Sequence, residues 1–339
     1  MSDFIVHIFQ HRGNAGEIGF ELGNKIAGTP IMKMFDGITR QEIDTKEMEQ
    51  IYQSIAPHLL EELYGVAEGA KLSRLKAAAL FSGYDVPRPQ ALGCTAMMTN
   101  TFYVRNYDFS PDLYDGYFSL IQPDEAFATA GYNLQVLGRH DGVNQHGLVI
   151  GLHFVSNTGY TTGISAWMAV RMVLDTCTTA DEAINLLREI PHAACYNFSM
   201  SDTFGNIVVV EASPEKVIVR RHEEFLTCVN HFQDESMQKQ NRLEIDNSLH
   251  RQAHLGGMER ELLSQRGAFN YFRDQNSPLF YEDYAGLFGT LHTFSYEREN
   301  SRILTAIAKS EHVLDFHFDR WISGENINKH RLEGIIENG

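Results

Sequence analysis

Gly93-Cys94-Thr95, followed by polar strand-like text closing on Arg105-Asn106-Tyr107-Asp108, is the stretch on which the reading of this chain turns. Loop residues 84–93, with Pro87 and Pro89, lead into it, and residues 94–104, rich in Thr, Met, Phe, Tyr and Val, read as a strand. A cysteine behind a glycine at a loop-to-strand junction can become a new chain end. The glycine carbonyl carries no side-chain obstruction, so the thiol can attack it and the peptide bond can rearrange to a thioester. Hydrolysis then leaves Cys94 with both a thiol and a free α-amine. Such an amine titrates at about 7.7–8.0, against about 10.4 for lysine, and serves as a base near neutral pH. A free thiol titrates near about 8.5 and needs that help. In this scheme Asp108 orients the amine and Arg105 holds the thiolate and carboxylate in place. The plainer alternative, Cys94 as a buried small hydrophobe, stays open on spacing alone.

A chain of 339 residues forms one large domain or two smaller ones. With 43% hydrophobic and 21% charged residues it has the make-up of a soluble globular protein. A formal net charge of −16 argues against a nucleic-acid backbone or an anionic membrane as partner. No apolar run approaches the roughly 20 residues that span a bilayer. Residues 1–10 lack a basic flank leading into an apolar stretch, so no signal peptide is read there. Cys94, Cys177, Cys195 and Cys228 are too sparse for a disulfide framework and show neither a Cys-x-x-Cys pair nor zinc spacing. The expectation is a reduced, cytoplasmic protein with neither cofactor nor metal.

Before the cysteine the text is mostly helical. Residues 4–9 make a short strand, 12–28 carry no clear signal, and 39–54 suggest a surface helix. At 59–70 the apolar residues Leu59, Leu63, Val66, Ala67 and Ala70 recur at three- and four-residue spacing along one face. A second helix, 74–81, has Ser73 as its N-cap. After Cys94 strand text dominates: 133–137, 147–155, 196–200, 207–211, 216–220, 226–229, 302–307 and 313–318. Turns are read at Asp141-Gly142, at Gln145-His146-Gly147 and at 202–206. A helical block interrupts the strands, with 165–176 almost wholly apolar and Thr179-x-x-Glu182 opening 181–189, which Pro191 stops. Residues 233–264 read as helical and looped. Strands, then two helices, then strands suggest α+β layering on antiparallel sheets.

The ordered set Gly93-Cys94-Thr95, Arg105-Asn106-Tyr107-Asp108, Asp141-Gly142-Val143-Asn144-Gln145-His146-Gly147-Leu148, Gly151-Leu152-His153-Phe154, Val229-Asn230-His231-Phe232 and 248–251 resembles a known family. It is similar to the N-terminal-nucleophile hydrolases of the acyl-CoA:6-aminopenicillanate acyltransferase type, relatives of bile-salt hydrolases and penicillin V acylases. Residues 62–70 also resemble the prefix of the acyltransferase branch. The resemblance implies a four-layered αββα fold and self-cleavage between Gly93 and Cys94, with residues 1–93 as a prefix and 94–339 as the catalytic segment, together one domain. It makes Cys94 the nucleophile and its freed amine the base, with Asp108 on the amine and Arg105 beside the thiolate. Asn230 would donate a side-chain N–H to the tetrahedral oxyanion and the backbone N–H of His153 a second, each worth about 2.7–4 kcal/mol. Arg251 matches a family arginine near the active centre. In the bile-salt branch the position matching His153 is usually Asn, so only its backbone role carries over.

Each residue also has a plainer reading. Asp108 can cap a turn, Arg105 can sit in a surface ion pair, and Asn144 with Gly147 can shape a β-turn. Trp167 and Met168 fit a core. The spacing of His146, His231 and His292 supports no metal site. His153 paired with Cys94 in a papain-like couple is a further alternative. The reading that emerges is an autoproteolytic cysteine amidohydrolase or acyltransferase acting on a small-molecule linear amide or acyl donor through a Cys94 thioester. Its rivals are an unprocessed Cys–His hydrolase and a non-catalytic ligand-binding relative, and a homo-oligomer is left open.

Overall fold

A computed structural model of the protein describes residues 2–88, 93–258, 264–286 and 288–336. Pro89 of the expected loop and residues 259–263 of the polar stretch lie outside them. The apolar period at 59–70 forms α4 (His58–Gly69), and Ser73 Oγ accepts the Lys76 N–H to open α5 (Arg74–Phe81). The helix expected at 39–54 is a shorter one, and a separate helix stands before it. α2 (Pro30–Ile38) precedes it, and α3 (Thr45–Ile55) starts only where the Asp44 carboxylate accepts the Lys46 and Glu47 N–H groups. The unread stretch 12–28 holds α1 (Ala15–Ile26), whose packing explains its glycines. A Cβ at Gly19 would lie 2.0 Å from the Glu62 carbonyl oxygen, and one at Gly65 2.2 Å from that of Gly16. Glycine costs a helix about 1 kcal/mol relative to alanine. Here it lets the backbones of α1 and α4 touch.

Two sheets form the body. In chain order the strands are β1 (Ser2–Gly13), β2 (Gly93–Thr99), β3 (Phe102–Phe109), β4 (Tyr117–Pro123), β5 (Thr129–Leu134), β6 (Gly138–Asn144), β7 (Val149–Ser156) and β8 (Cys195–Ser201). Then follow β9 (Ile207–Ala212), β10 (Val217–His222), β11 (Phe225–Cys228), β12 (Glu282–Asp283), β13 (Phe288–Glu297), β14 (Arg302–Ile307), β15 (Leu314–His317) and β16 (Arg331–Ile336). The larger sheet runs β10-β9-β8-β7-β6-β5-β4-β1-β16, and the smaller β11-β2-β3-β13-β14-β15 with β12 on β13. Pairing is antiparallel except between β1 and β4, so the first strand of the chain is inserted beside its last.

Helices α6 (Ala166–Thr176) and α7 (Ala180–Glu189) cover the larger sheet; α8 (Asp246–Gly256) and α9 (Gln265–Arg273) cover the smaller. Side-chain direction fixes which faces meet. On β6 a Cβ at Gly142 would touch Leu174 of α6, while its neighbour Asp141 reaches Arg105 of β3. On β3 Arg105 bonds the larger sheet, while Asn106 bonds the Phe272 carbonyl of α9. The result is a four-layered αββα sandwich, as expected.

Several local readings need correction. Residues 94–104 are not one strand but a hairpin, β2 and β3, turned at residues 100–101. Asp141-Gly142 lies inside β6 rather than in a turn, because Gly142 allows close packing on Ala130 and Gly131 of β5. The turn sits at Gln135-Val136, both at positive φ (57° and 68°), where the Asp115 carboxylate accepts their two N–H groups at 3.0 and 2.5 Å. Trp167 and Met168 are core, and Gly147 closes the expected turn at φ +76° with Asn144. In the capping box, Thr179 Oγ1 accepts the Glu182 N–H, and the Glu182 carboxylate also accepts from the N–H and hydroxyl of Thr178.

Between α4 and α6 lies a buried ion cluster. Arg171 bonds both carboxylate oxygens of Glu62 and both of Asp175, and His58 Nε2 bonds Asp175 Oδ2 at 2.8 Å. Glu62 and His58 precede Cys94 in the chain; Arg171 and Asp175 follow it.

Candidate active site

The β2–β3 register sets the site. Cys94 lies opposite Tyr107, Ala96 opposite Arg105, and Gly93 opposite Asp108. Strand alternation therefore turns Cys94 and Arg105 toward the larger sheet and Asp108 toward the other face. Gly93 is required sterically: a Cβ there would stand 2.3 Å from the Phe288 ring and 3.0 Å from Asp108 Cβ.

The main chain of Cys94 is gripped on both sides. β11 ends with Cys228 opposite Ala96, and beyond it Asn230 extends its side chain so that Oδ1 accepts the Cys94 N–H at 2.9 Å. Asn230 Nδ2 donates to the Phe154 carbonyl at 2.9 Å, and Ser248 Oγ accepts the Asn230 N–H. From α8, Arg251 donates to the Cys94 carbonyl at 2.7 Å, to Thr95 Oγ1 at 2.6 Å and to Asn230 Oδ1 at 2.9 Å. Asp108 Oδ1 accepts from Thr290 Oγ1 at 2.7 Å, and its Oδ2 is buried with no hydrogen-bond partner. Arg105 donates to the carbonyls of His140 and Leu152 and to Asp141 Oδ2 at 3.0 Å, leaving its buried Nε unpartnered.

Electrostatics follow from total burial. Burial pushes the Cys94 thiol up to about 11; the Arg105 and Arg251 charges pull it down, and Asp108 and Asp141 oppose them. Burial raises the Asp108 carboxyl, which Arg251, Thr290 and Arg105 do not fully offset. Burial disfavours the Arg105 charge, yet Cys94 and Asp141 outweigh it and keep the guanidinium firmly protonated. The thiol is thus held neutral beside the guanidinium groups of Arg105 and Arg251.

His153 lies in β7 with Nε2 on Ser199 Oγ at 2.8 Å and Nδ1 without a well-formed bond. Burial and then Arg105 hold its ring neutral. Among the described residues no hydrogen bond joins it to the Cys94 thiol. The structure thus gathers Gly93, Cys94, Arg105, Asp108, His153, Asn230 and Arg251 at one place between and beside the sheets.

Sequence reading missed the residues that hold these in turn. Asp141 Oδ2 is shared between Arg105 and His292 Nε2 at 2.8 Å, and His292 Nδ1 meets Tyr114 OH at 2.7 Å. Burial lowers His292, with Asp141 opposing. Thr290 was also unread, and Thr95 was quoted without a role. Asp141 stood inside a quoted motif, but nothing in that motif named Arg105, 36 residues away, as its partner. Among the described residues, no cluster of His, Cys, Asp and Glu is arranged to hold a metal ion, and no helix is long and apolar enough to cross a membrane.

Comparison with known proteins yields distant structural likenesses. A variant of the conjugated bile acid hydrolase from Clostridium perfringens matches at 12% identity and TM-score 0.47, over 72% of this chain and 97% of its own. The penicillin V acylase from Agrobacterium tumefaciens matches at 13% and 0.39, over 66% and 86%. The Caenorhabditis elegans ortholog of N-acylethanolamine-hydrolyzing acid amidase matches at 12% and 0.41, over 61% and 95%. By sequence, no curated protein matches. The profile of the acyl-coenzyme A:6-aminopenicillanic acid acyl-transferase family matches residues 96–311, well over half of the chain and beginning two positions after Cys94. The chain belongs to that family, and with it to the hydrolases and acyltransferases that act on amide bonds.

Proposed function

We propose that the chain cuts itself between Gly93 and Cys94 and then works as a cysteine amidohydrolase or acyltransferase on a small linear amide. The observation that carries this reading is the grip on Cys94. Its N–H is on Asn230 Oδ1, its carbonyl is on Arg251, and Asp108 Oδ2 lies unpartnered in the pair opposite Gly93. In the first step the Cys94 Sγ attacks the Gly93 carbonyl carbon and the C–N bond breaks. The acyl group moves to sulfur, the amine takes a proton, and water hydrolyses the thioester to leave the Gly93 carboxylate. The freed amine then has a carboxylate acceptor in Asp108.

In turnover the amine accepts the thiol proton, sulfur attacks the substrate carbonyl, and the leaving amine departs with that proton. Water or a second amine resolves the thioester. Asn230 commits one Nδ2 hydrogen to Phe154, so the second is available to the oxyanion. The Ser199 bond to His153 Nε2 weighs against a Cys94–His153 couple. The two pieces would remain together, since β1 is paired on both edges and Glu62 is bonded to Arg171.

Intact-mass spectrometry under denaturing conditions tests the proposal. Two species, the larger beginning at Cys94, are expected from the native chain, and one from Cys94→Ala, which should also lack amidase activity. A native chain that stays whole on incubation and still turns over amides would overturn it.

A further inference from the structure

Across the β2–β3 ladder from Cys94 stands Tyr107, on the same face of the smaller sheet. Opposed side chains of an antiparallel pair have Cβ atoms about 4.5–5.5 Å apart, so the Tyr107 ring flanks the thiol. The larger sheet meets this spot with a β-bulge in β6. Asp141 pairs with Tyr132 and Arg139 with Asn133, which leaves His140 as the extra residue. Bulges re-aim side chains, and here both His140 and Asp141 reach β3 of the smaller sheet. The His140 ring lies 3.9 Å from the Tyr107 ring, centre to centre, and stacks on Tyr114 at 5.2 Å. The His140 carbonyl accepts from Arg105 Nη1 at 2.6 Å.

The polar atoms of this group are not consumed by the fold. Nδ1 and Nε2 of His140 and the Tyr107 hydroxyl are buried, and among the described residues none of them has a hydrogen-bond partner. Arg105 Nε, on a guanidinium 5.6 Å from the Tyr107 ring centre, is a fourth such atom. Buried polar groups are nearly always paired, with protein or with ordered water. Burial holds the His140 ring neutral, and His292 and Arg105 add to the effect. A neutral imidazole offers one donor and one acceptor, a phenol offers both, and Arg105 Nε only donates. A small group that gives and takes hydrogen bonds at one point completes such a set. Water does so, with its usual three or so bonds.

We propose that Tyr107 and His140 hold the water molecule that hydrolyses the acyl-thioester on Cys94. The inference rests on the reading of Cys94 as nucleophile and names water, rather than a second amine, as the acceptor. His140 accepts one O–H of the water and the Tyr107 hydroxyl donates to its oxygen. One lone pair is then left for the acyl carbon, which must come within about 3–3.5 Å. In the step the water oxygen bonds to that carbon, and its proton passes to the Cys94 α-amine. The C–S bond breaks, the sulfur recovers the proton from the amine, and the carboxylic acid leaves.

The test follows the full matured chain through a single turnover of 4-nitrophenyl butanoate. Nitrophenolate release reads acylation. Loss of the butanoyl group from the chain beginning at Cys94, seen by intact mass after an acid quench, reads hydrolysis. Tyr107→Phe keeps the ring and should slow hydrolysis about five- to tenfold, the worth of one hydrogen bond, with acylation at the native rate. His140→Leu should slow it further, and His140→Gln, which also gives and takes hydrogen bonds, should recover most of the loss. Hydroxylamine brings its own nucleophile and should clear the butanoyl group equally fast from native and variant chains. Hydrolysis at the native rate in Tyr107→Phe overturns the assignment alone, and so does a parallel fall in acylation and hydrolysis, the mark of a merely structural role. A native chain that stays uncut, or that the ester does not acylate at Cys94, removes the nucleophile reading and this assignment with it.

Discussion

Two buried clusters of charge sit in this molecule, and they are finished to different degrees. Between α4 and α6, both carboxylate oxygens of Glu62 and both of Asp175 accept from Arg171, and His58 closes the set. Around Cys94, by contrast, Asp108 Oδ2 and Arg105 Nε are buried and unpartnered. An unmade buried hydrogen bond costs about 1–3 kcal/mol, more for a charged group. The first cluster is organised to hold helices together. The second carries polar capacity that the fold itself does not consume, as a site awaiting a new amine, an oxyanion or a substrate would.

Breaking each cluster should separate these roles. The largest expected effect is from Arg171→Met, which strands two buried carboxylates and should lower unfolding stability by about 3–5 kcal/mol in a urea titration, with cutting intact in molecules that fold. Asp108→Asn should do the reverse, abolishing the proposed cut, with mass spectrometry as the readout, and leaving stability unchanged or raised.

Acid titration sharpens the same contrast. Burial alone would raise Asp175, but Arg171 and His58 overturn that and lower it. Its contribution is therefore present above its unfolded value of about 3.9 and is lost as pH falls through the lower folded value. Burial leaves Asp108 raised, so its charge weakens the fold at neutral pH and that penalty disappears as pH falls through the raised value. In an uncut Cys94→Ala background, urea midpoints from pH 7 to pH 4 should show the Asp108→Asn advantage shrinking while the Asp175→Asn deficit persists. The smallest effect concerns the Asp141 support. His292→Leu should slow turnover about tenfold, the loss of one hydrogen bond to a charged group, and His292→Gln should restore most of it.

How much of this was legible in the sequence depends on the range of the interaction. Period and caps revealed α4, α5, α7 and most strands, because those signals are local: Leu59 to Val66, Ser73, Thr179. The order of motifs around Cys94 named as a group the residues that the structure brings together there. What stayed hidden was set by distant partners. The turn at Gln135-Val136 depends on Asp115, and α1 reads as a poor helix until the glycines of α4 arrive against it. β13, with Thr290, went unread as a strand although it is central to the smaller sheet, and its Phe288 is what makes Gly93 necessary.

The placement of β1 has a kinetic consequence. It is hydrogen-bonded to β4 on one side and β16 on the other, so the first segment of the chain is a load-sharing member of a nine-stranded sheet. If the chain is cut after Gly93 as proposed, that strand would belong to a separate polypeptide, and regaining the native state from denaturant would become a bimolecular reaction. Its rate then depends on protein concentration, whereas the intact Cys94→Ala chain refolds at a rate independent of it. Maturation would turn a reversible folder into a molecule whose lifetime is governed by how slowly it first comes apart.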